Sequence, residues 1–140
     1  MKVNFLKLFV GVLALLLSAS GAVAEDLKEA SEEVRSEAAR KKLGEKPGAL
    51  CLYVKGLCCP SCAIGIRKKV TKLKFVDRKE FSKGVDLDAK TQLVMIGLKA
   101  GATPDNTKLA RAIEDAGYDP VHLYSLTAGK LATTPIRAKN

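Results

Sequence analysis

The chain has 140 residues, of which 47% are hydrophobic and 28% are charged, and its formal net charge is +9 at pH 7. It contains no tryptophan and only 5% aromatic residues, so it lacks the basic stripe interleaved with aromatic side chains that stacks on nucleic-acid bases. We therefore expect no nucleic-acid partner. The chain also contains four cysteines and a single histidine, which are candidate ligands for a soft metal ion.

The N-terminal residues 1–24 have the layout of a secretory signal peptide. Lys2 and Lys7 flank the start of an apolar run, and the segment ends on small residues at Ala24. The run is shorter than the roughly 20 apolar residues of a membrane span. We predict cleavage before Glu25, no stable membrane insertion after it, and a periplasmic or secreted mature protein.

Residues 25–48 predict a charged helical segment or linker. The composition is dense in Glu, Lys, Arg and Ala, and Glu37 lies four residues before Lys41, the favourable orientation for a helical ion pair. The apolar stripe is thin, so the helix either packs lightly on the rest of the chain or serves as a spacer. Pro47 and Gly48 end it.

Hydrophobic periodicity then predicts strand, helix, strand, strand, helix, strand. The predicted strands cover 49–55, 75–81 with an extension through 85–87, 91–99 and 121–126, and the predicted helices cover 60–73 and 103–117. This order is typical of an α+β, ferredoxin-like split βαβ (βαββαβ) sandwich, in which an antiparallel sheet carries both helices on one face. Residues 127–140 lack periodicity and predict a flexible tail.

A cysteine pair lies at the junction of the first predicted strand and helix. Cys59 precedes the helix and Cys62 lies in its first turn, so both sulfurs can face one ion. The positive end of the helix dipole favours thiolates, which select Cu(I), Hg(II), Zn(II) or Cd(II) over magnesium or calcium. A structural zinc site needs four closed ligands, which this pair does not supply. An accessible, exchangeable ion is better suited to metal transport than to a structural site that stabilises the fold.

Cys58, Cys51 and His122 are weaker candidates. Cys58 is either a third thiolate or points away, because adjacent side chains diverge in extended backbone. Cys51 precedes the motif by about 16 Å of strand at ~3.3 Å per residue, so it is a free surface thiol or a packed one, with pairing between two molecules a weaker option. The histidine is interpreted as an ordinary surface or core residue.

The segment Gly56–Cys62 (GLCCPSC), followed by an apolar helix, resembles the GMxCxxC motif of heavy-metal-associated domains, which include periplasmic mercury-binding proteins and copper chaperones. Residues 110–118 are similar to the second helix of that family and the loop after it. The resemblance covers 49–126 and implies the same ferredoxin-like fold. It implies a soft metal ion as cargo, Cu(I) or Hg(II) first and Zn(II) or Cd(II) as alternatives.

Carried over residue by residue, the resemblance implies that Cys59 and Cys62 bind the ion. Leu57 stands where the family has methionine, as a core anchor beneath the metal loop. Tyr118 would lie in the loop beside the site, where it shields the sulfurs or hydrogen-bonds near them, or is simply a half-buried ring. Cys58 replaces a small polar residue of the motif, which leaves the coordination number open.

These patterns favour an exported metallochaperone or scavenger that transfers metal by ligand exchange and is not an enzyme. A basic group on the first predicted helix either guides docking to an acidic protein partner, such as a metal transporter domain, or is a solvated face. The group comprises Arg67, Lys68, Lys69, Lys72 and Lys74. The alternative is a thiol-disulfide oxidoreductase that uses the same pair, although no strand precedes the motif strand. A third option is a sensory or interaction module.

Overall fold

A computed structural model of the chain describes residues 29–138. The elements are α1 (Glu32–Glu45), β1 (Leu50–Lys55), α2 (Pro60–Val70), β2 (Val85–Asp88), β3 (Leu93–Ile96), α3 (Asn106–Glu114), β4 (Asp119–Thr127) and β5 (Lys130–Pro135). They form an α+β structure whose five strands lie in the order β2-β3-β1-β4-β5, with every neighbouring pair antiparallel. The predicted signal peptide lies outside the described residues. Within 29–138, no helix is both long and apolar enough to cross a membrane.

The central strand β1 is buried on both faces of the sheet. Leu52 and Val54 point to one face, where they pack with α2 and α3. Cys51 and Tyr53 point to the other, where they pack with α1. The strand predicted at 49–55 is confirmed, and side chains on both of its faces are buried.

Helix α1 packs on the sheet and is not a spacer. Its N-cap is Ser31, whose hydroxyl accepts a hydrogen bond from the backbone N–H of Val34 at 3.4 Å. Arg35, Ala39 and Leu43 recur every four residues and are all buried, so one face of the helix lies on the sheet. Residues 32–45 therefore belong to the same folded unit as the strands.

The buried guanidinium of Arg35 is held by an aromatic ring and a carbonyl. It lies 3.5 Å from the centroid of the Tyr53 ring and donates to the Ala30 carbonyl at 2.7 Å. The Tyr53 hydroxyl in turn donates to the Glu29 carboxylate. These contacts give the arginine polar and cation-π partners that offset part of the cost of burying its charge.

The strand predicted at 75–81 is wrong, because this stretch forms turns. Asp77 accepts from the backbone N–H of Lys79 at 2.9 Å, an Asx-type turn that diverts the chain from extended structure. Val76 alone makes an isolated bridge, to Leu98. The strand that pairs with β3 is β2, the segment that was predicted only as an extension.

The flexible tail predicted at 127–140 is also wrong over the residues that the structure describes. Strand β5 pairs with β4 through a two-residue turn at Ala128 and Gly129, whose φ angles are 49° and 76°. Two positive φ angles are characteristic of a type I′ turn, which matches the twist of a hairpin. Beyond the hairpin, Ile136 is buried in the core that α2 and α3 share. The sheet thus has five strands where four were predicted.

Two glycines allow a prediction about the fold itself. A Cβ at Gly84, where φ is +88°, would lie 2.6 Å from the Val76 side chain and 2.9 Å from the Asp77 carbonyl oxygen. We expect Gly84→Ala to lower the free energy of unfolding by about 2 kcal/mol or more, since strain and overpacking add. The measurement is urea denaturation followed by circular dichroism.

Gly44 provides the matched control, because it lies inside α1 and a Cβ there would meet nothing within 4 Å. Gly44→Ala is expected to raise the free energy of unfolding by about 0.5–1 kcal/mol through its higher helix propensity. Equal effects of the two substitutions would contradict the close approach of the backbone at Gly84.

Candidate metal centre

The loop between β1 and α2 is shaped by its own sequence. Gly56 has a φ of +91°, a conformation that glycine adopts without strain, and it turns the chain out of β1. Leu57 is buried in the core beneath the loop. Cys59 is the N-cap of α2 in extended backbone, and Pro60 is the first helical residue, where the missing N–H costs nothing. The sharp turn places cysteines on both sides of the helix start.

Three sulfur atoms converge at this helix start. The Cys59 and Cys62 Sγ atoms are 3.5 Å apart, and the Cys58 and Cys62 Sγ atoms are 3.9 Å apart. All three Sγ atoms lie within 4.8 Å of one another, so the group could hold a metal ion. Among residues 29–138, this is the single cluster of at least three potential ligands of this kind.

The position of Cys58 answers a question that the sequence left open. Adjacent side chains diverge in extended backbone, so Cys58 and Cys59 were free to point apart. In the structure both sulfurs lie beside that of Cys62, because the chain bends into α2 directly after them. Cys58 is exposed, Cys59 is partly buried and Cys62 is buried, so the cluster opens to solvent on one side.

The electrostatics of the cluster favour one thiolate, at Cys62. Burial alone would raise the pKa of this thiol, but hydrogen bonds from the Tyr118 hydroxyl, the backbone N–H groups of Cys58 and Cys59 and the Cys59 side chain lower it to about 6. The same hydrogen bond to Cys62 raises the pKa of Tyr118 to about 12, which keeps its hydroxyl a donor. Hydrogen bonds to Cys62 and Cys59 raise the pKa of Cys58.

Tyr118 lies over the loop between β1 and α2, against two glycines. A Cβ at Gly56 would lie 3.7 Å from its Cδ1, and one at Gly65 would lie 3.9 Å from its Cε2. The ring thus bridges the end of β1 and the first turns of α2 while its hydroxyl faces Cys62. The resemblance predicted that Tyr118 lies beside the site. Nothing in the sequence predicted the hydrogen bonds from the backbone N–H groups of Cys58 and Cys59 to Cys62.

Removal of the Tyr118 hydroxyl is expected to make Cys62 less acidic. In Tyr118→Phe the thiolate loses a donor, so the pKa of Cys62 rises from about 6 towards its ordinary value of 9.0. At pH 7 the variant then holds less thiolate and reacts more slowly with iodoacetamide. The measurement is the pH dependence of alkylation at Cys62 in reduced, metal-free protein, read by mass spectrometry.

The matched control is Tyr53→Phe, which removes a hydroxyl on the opposite face of the sheet, beside Glu29. It is expected to leave the alkylation midpoint of Cys62 unchanged. An unchanged midpoint in Tyr118→Phe as well would contradict the hydrogen bond from Tyr118 to Cys62.

The other two sequence candidates lie apart from this cluster. Cys51 is fully buried in the packing of α1 on the sheet, and burial raises its pKa to about 12. His122 lies in β4 opposite Tyr53 and makes edge-on contacts with the rings of Tyr53 and Tyr124. The structure therefore places Cys51 in the core and His122 between two tyrosine rings, and neither belongs to the cluster of three cysteines.

The surface beside the cluster is basic and partly apolar. Ile64, two residues after Cys62, is 66% exposed. An open groove of about 900 Å³ runs alongside it and is lined by Ile64, Arg67, Lys68, Thr71, Lys72, Arg78, Ser82 and Lys83. Arg67 is partly buried and donates to the Val85 carbonyl at 3.3 Å. Its side chain is therefore less available to a partner than the lysine side chains of the predicted basic group. The exposed hydrophobic residue had no distinct signal in the sequence.

Comparisons with models of protein families, with curated proteins and with solved structures gave no match for this chain. The resemblance to heavy-metal-associated domains therefore rests on the motif residues alone and stays a prediction.

Proposed function

We propose that this chain is an exported protein that binds a soft heavy-metal ion, Cu(I) or Hg(II), through Cys59 and Cys62 and passes it on by ligand exchange. The observation that carries the proposal is the convergence of thiols at the start of α2, with all three Sγ atoms within 4.8 Å of one another. Thiolates bind soft ions in preference to magnesium or calcium. The helix dipole and the lowered pKa of Cys62 supply thiolate at neutral pH.

The graded exposure of the sulfurs supports transfer rather than permanent retention. Cys62 is buried, Cys59 is partly buried and Cys58 is exposed, so an incoming thiol can approach from one side only. Exchange then proceeds by replacement of one sulfur at a time, and the ion is never released free. A closed four-ligand zinc site would have no such open side.

We further propose that β1–β4 with α2 and α3 are a ferredoxin-like, heavy-metal-associated unit, extended by α1 and β5. Support comes from the strand order β2-β3-β1-β4 within the sheet and from the packing of both helices on the same core. The additional strand and the additional helix are departures from the four-stranded arrangement that the resemblance implies.

The partner we propose is an acidic protein, such as a metal transporter domain. The exposed lysines of α2 and the groove beside Ile64 form one basic surface next to the cluster. Complementary charge speeds the encounter of the two proteins. The exposed apolar side chain at the edge of the basic surface can be buried against a docked partner. The surface lies on the helix that carries Cys62, so docking brings partner ligands near the ion.

The experiment that tests ligand exchange measures how fast the ion leaves. Reduced protein loaded with Hg(II) under nitrogen is mixed with increasing concentrations of a dithiol acceptor, and transfer is followed by absorbance. Attack by incoming thiols predicts a rate that rises with acceptor concentration. A rate independent of acceptor would mean that the ion dissociates first and would contradict the proposed mechanism.

A thiol-disulfide oxidoreductase is the second candidate, since the Sγ atoms of Cys59 and Cys62 are 3.5 Å apart. Against it, the thiol with the lowered pKa is Cys62, the more buried of the two, whereas attack on a bulky external disulfide calls for a thiolate at the more accessible sulfur. Turnover in an insulin-reduction assay would favour this alternative over metal transfer, and its absence with retained metal binding would favour the proposal.

A further inference from the structure

The spacing of the three sulfurs is informative about the kind of ion they suit. With metal–sulfur bonds of about 2.3 Å, a two-coordinate linear ion holds its sulfurs about 4.6 Å apart. The two separations at Cys62 are shorter, 3.5 Å to Cys59 and 3.9 Å to Cys58. At the same bond length these two separations correspond to S–M–S angles of about 100° to 115°, bent as in a three- or four-coordinate site rather than linear. The third separation, between the Cys58 and Cys59 Sγ atoms, is at most 4.8 Å.

The cluster offers an ion three protein ligands, and all three are sulfur atoms. The potential ligand cluster in residues 29–138 contains Cys58, Cys59 and Cys62 and no carboxylate or imidazole. A tetrahedral Zn(II) ion would therefore lack its fourth protein ligand. An ion that is saturated by three thiolates fits this set better.

Trivalent arsenic and antimony have that property, because each keeps a lone pair at the fourth position and binds three soft sulfur donors in a pyramid. Three thiolates also cancel the charge of a trivalent ion, so the loaded site is neutral. Cys58 is exposed, so arsenite can reach it from solvent before the two more buried sulfurs engage.

We propose that Cys58, Cys59 and Cys62 together bind trivalent arsenic or antimony, a substrate class for the metal site that rests on the proposed function. Arsenous acid reacts with the three thiols. Three As–O bonds break and three As–S bonds form, and each hydroxide leaves with one thiol proton as water. Arsenic stays in the trivalent state, so no oxidant or reductant takes part.

The test is anaerobic titration of the reduced protein with arsenite and, separately, with Hg(II), followed by native mass spectrometry and by a count of free thiols after denaturation. Wild type is expected to bind one arsenic with the loss of three thiols, so that Cys51 remains the free one. Cys58→Ser is expected to lose arsenite affinity by about a hundredfold or more and Hg(II) affinity by less than about tenfold. Ser61→Ala, which keeps every sulfur, is the matched control and should behave as wild type.

The outcomes separate this inference from the proposed function. Loss of only two thiols per arsenic, or unchanged arsenite affinity in Cys58→Ser, would overturn the three-thiolate site while leaving metal binding by Cys59 and Cys62 intact. If wild type bound neither arsenite nor Hg(II), both the three-thiolate site and the proposed function would be overturned. Since Cys58 is exposed, circular dichroism of the serine variant should match wild type and exclude misfolding.

Discussion

Replacement of Cys62 with serine is expected to abolish tight binding of Cu(I) and Hg(II). Cys62 is the sulfur within 3.5 Å of Cys59 and 3.9 Å of Cys58, and it is the thiol with the pKa lowered to about 6. Loss of an outer partner of a metal ligand costs roughly 10–100-fold in affinity, so loss of the ligand itself should cost more than about a hundredfold. Cys59→Ser is expected to follow the same pattern. The measurement is competitive titration against a chromophoric chelator.

The control for this prediction is Cys51→Ala, which removes a thiol from the opposite face of the sheet. It is expected to bind both ions as wild type does. Affinity lost equally in Cys51→Ala and Cys62→Ser would mean that binding depends on the number of thiols in the chain rather than on their position at the start of α2.

Truncation of Leu43 to alanine is expected to lower the free energy of unfolding by about 2–5 kcal/mol. Leu43 is buried, and it lies in the cluster by which α1 covers the sheet, together with Tyr53 and Met95. The change removes apolar contact and leaves a cavity between helix and sheet. The measurement is urea denaturation monitored by circular dichroism, in which a lower midpoint with an unchanged slope reports a loss of stability.

Val34 supplies the matched control on the same helix, because it is 53% exposed. Val34→Ala is expected to change the free energy of unfolding by less than about 0.5 kcal/mol. If Leu43→Ala were equally mild, α1 would be a spacer that merely rests on the sheet, and its assignment to the folded unit would be wrong.

Much of the fold could be predicted where the local signal and the tertiary environment agree. Alternation at 49–55 predicted β1, and the three- and four-residue steps of Ile66 and Val70 predicted α2. The helix predicted at 103–117 is α3, and the carboxylate of its N-cap residue Asp105 accepts a hydrogen bond from the backbone N–H of Lys108. In each case a single element carries its own signal.

The errors fall where structure depends on contacts between distant segments. The side chains of β5 are mostly exposed, so its sequence shows no alternation of apolar and polar residues. The strand forms because β4 offers a free edge and because Ala128 and Gly129 make the turn between them. The Ala-Gly pair is a weaker hairpin signal than Asn-Gly. Likewise, the thin apolar stripe of α1 gave no sign that Cys51 and Tyr53 form an apolar surface beneath it.

The candidate site was predicted in composition but not in geometry. The CxxC spacing and the helix start identified Cys59 and Cys62, since those features are local. The place of Cys58 depends on the bend after Gly56, and the hydrogen bond from Tyr118 depends on the packing of two segments 56 residues apart in sequence. A single sequence carries no direct signal for either.

Our assignment of the ligands to the sulfur atoms at the start of α2 can be checked by X-ray absorption spectroscopy of the reduced, Hg(II)-loaded protein. The assignment predicts one ion per chain with a nearest shell made of sulfur alone, and loss of that shell in Cys62→Ser. A nearest shell of oxygen or nitrogen, or a wild-type protein that retains no ion after gel filtration, would contradict it.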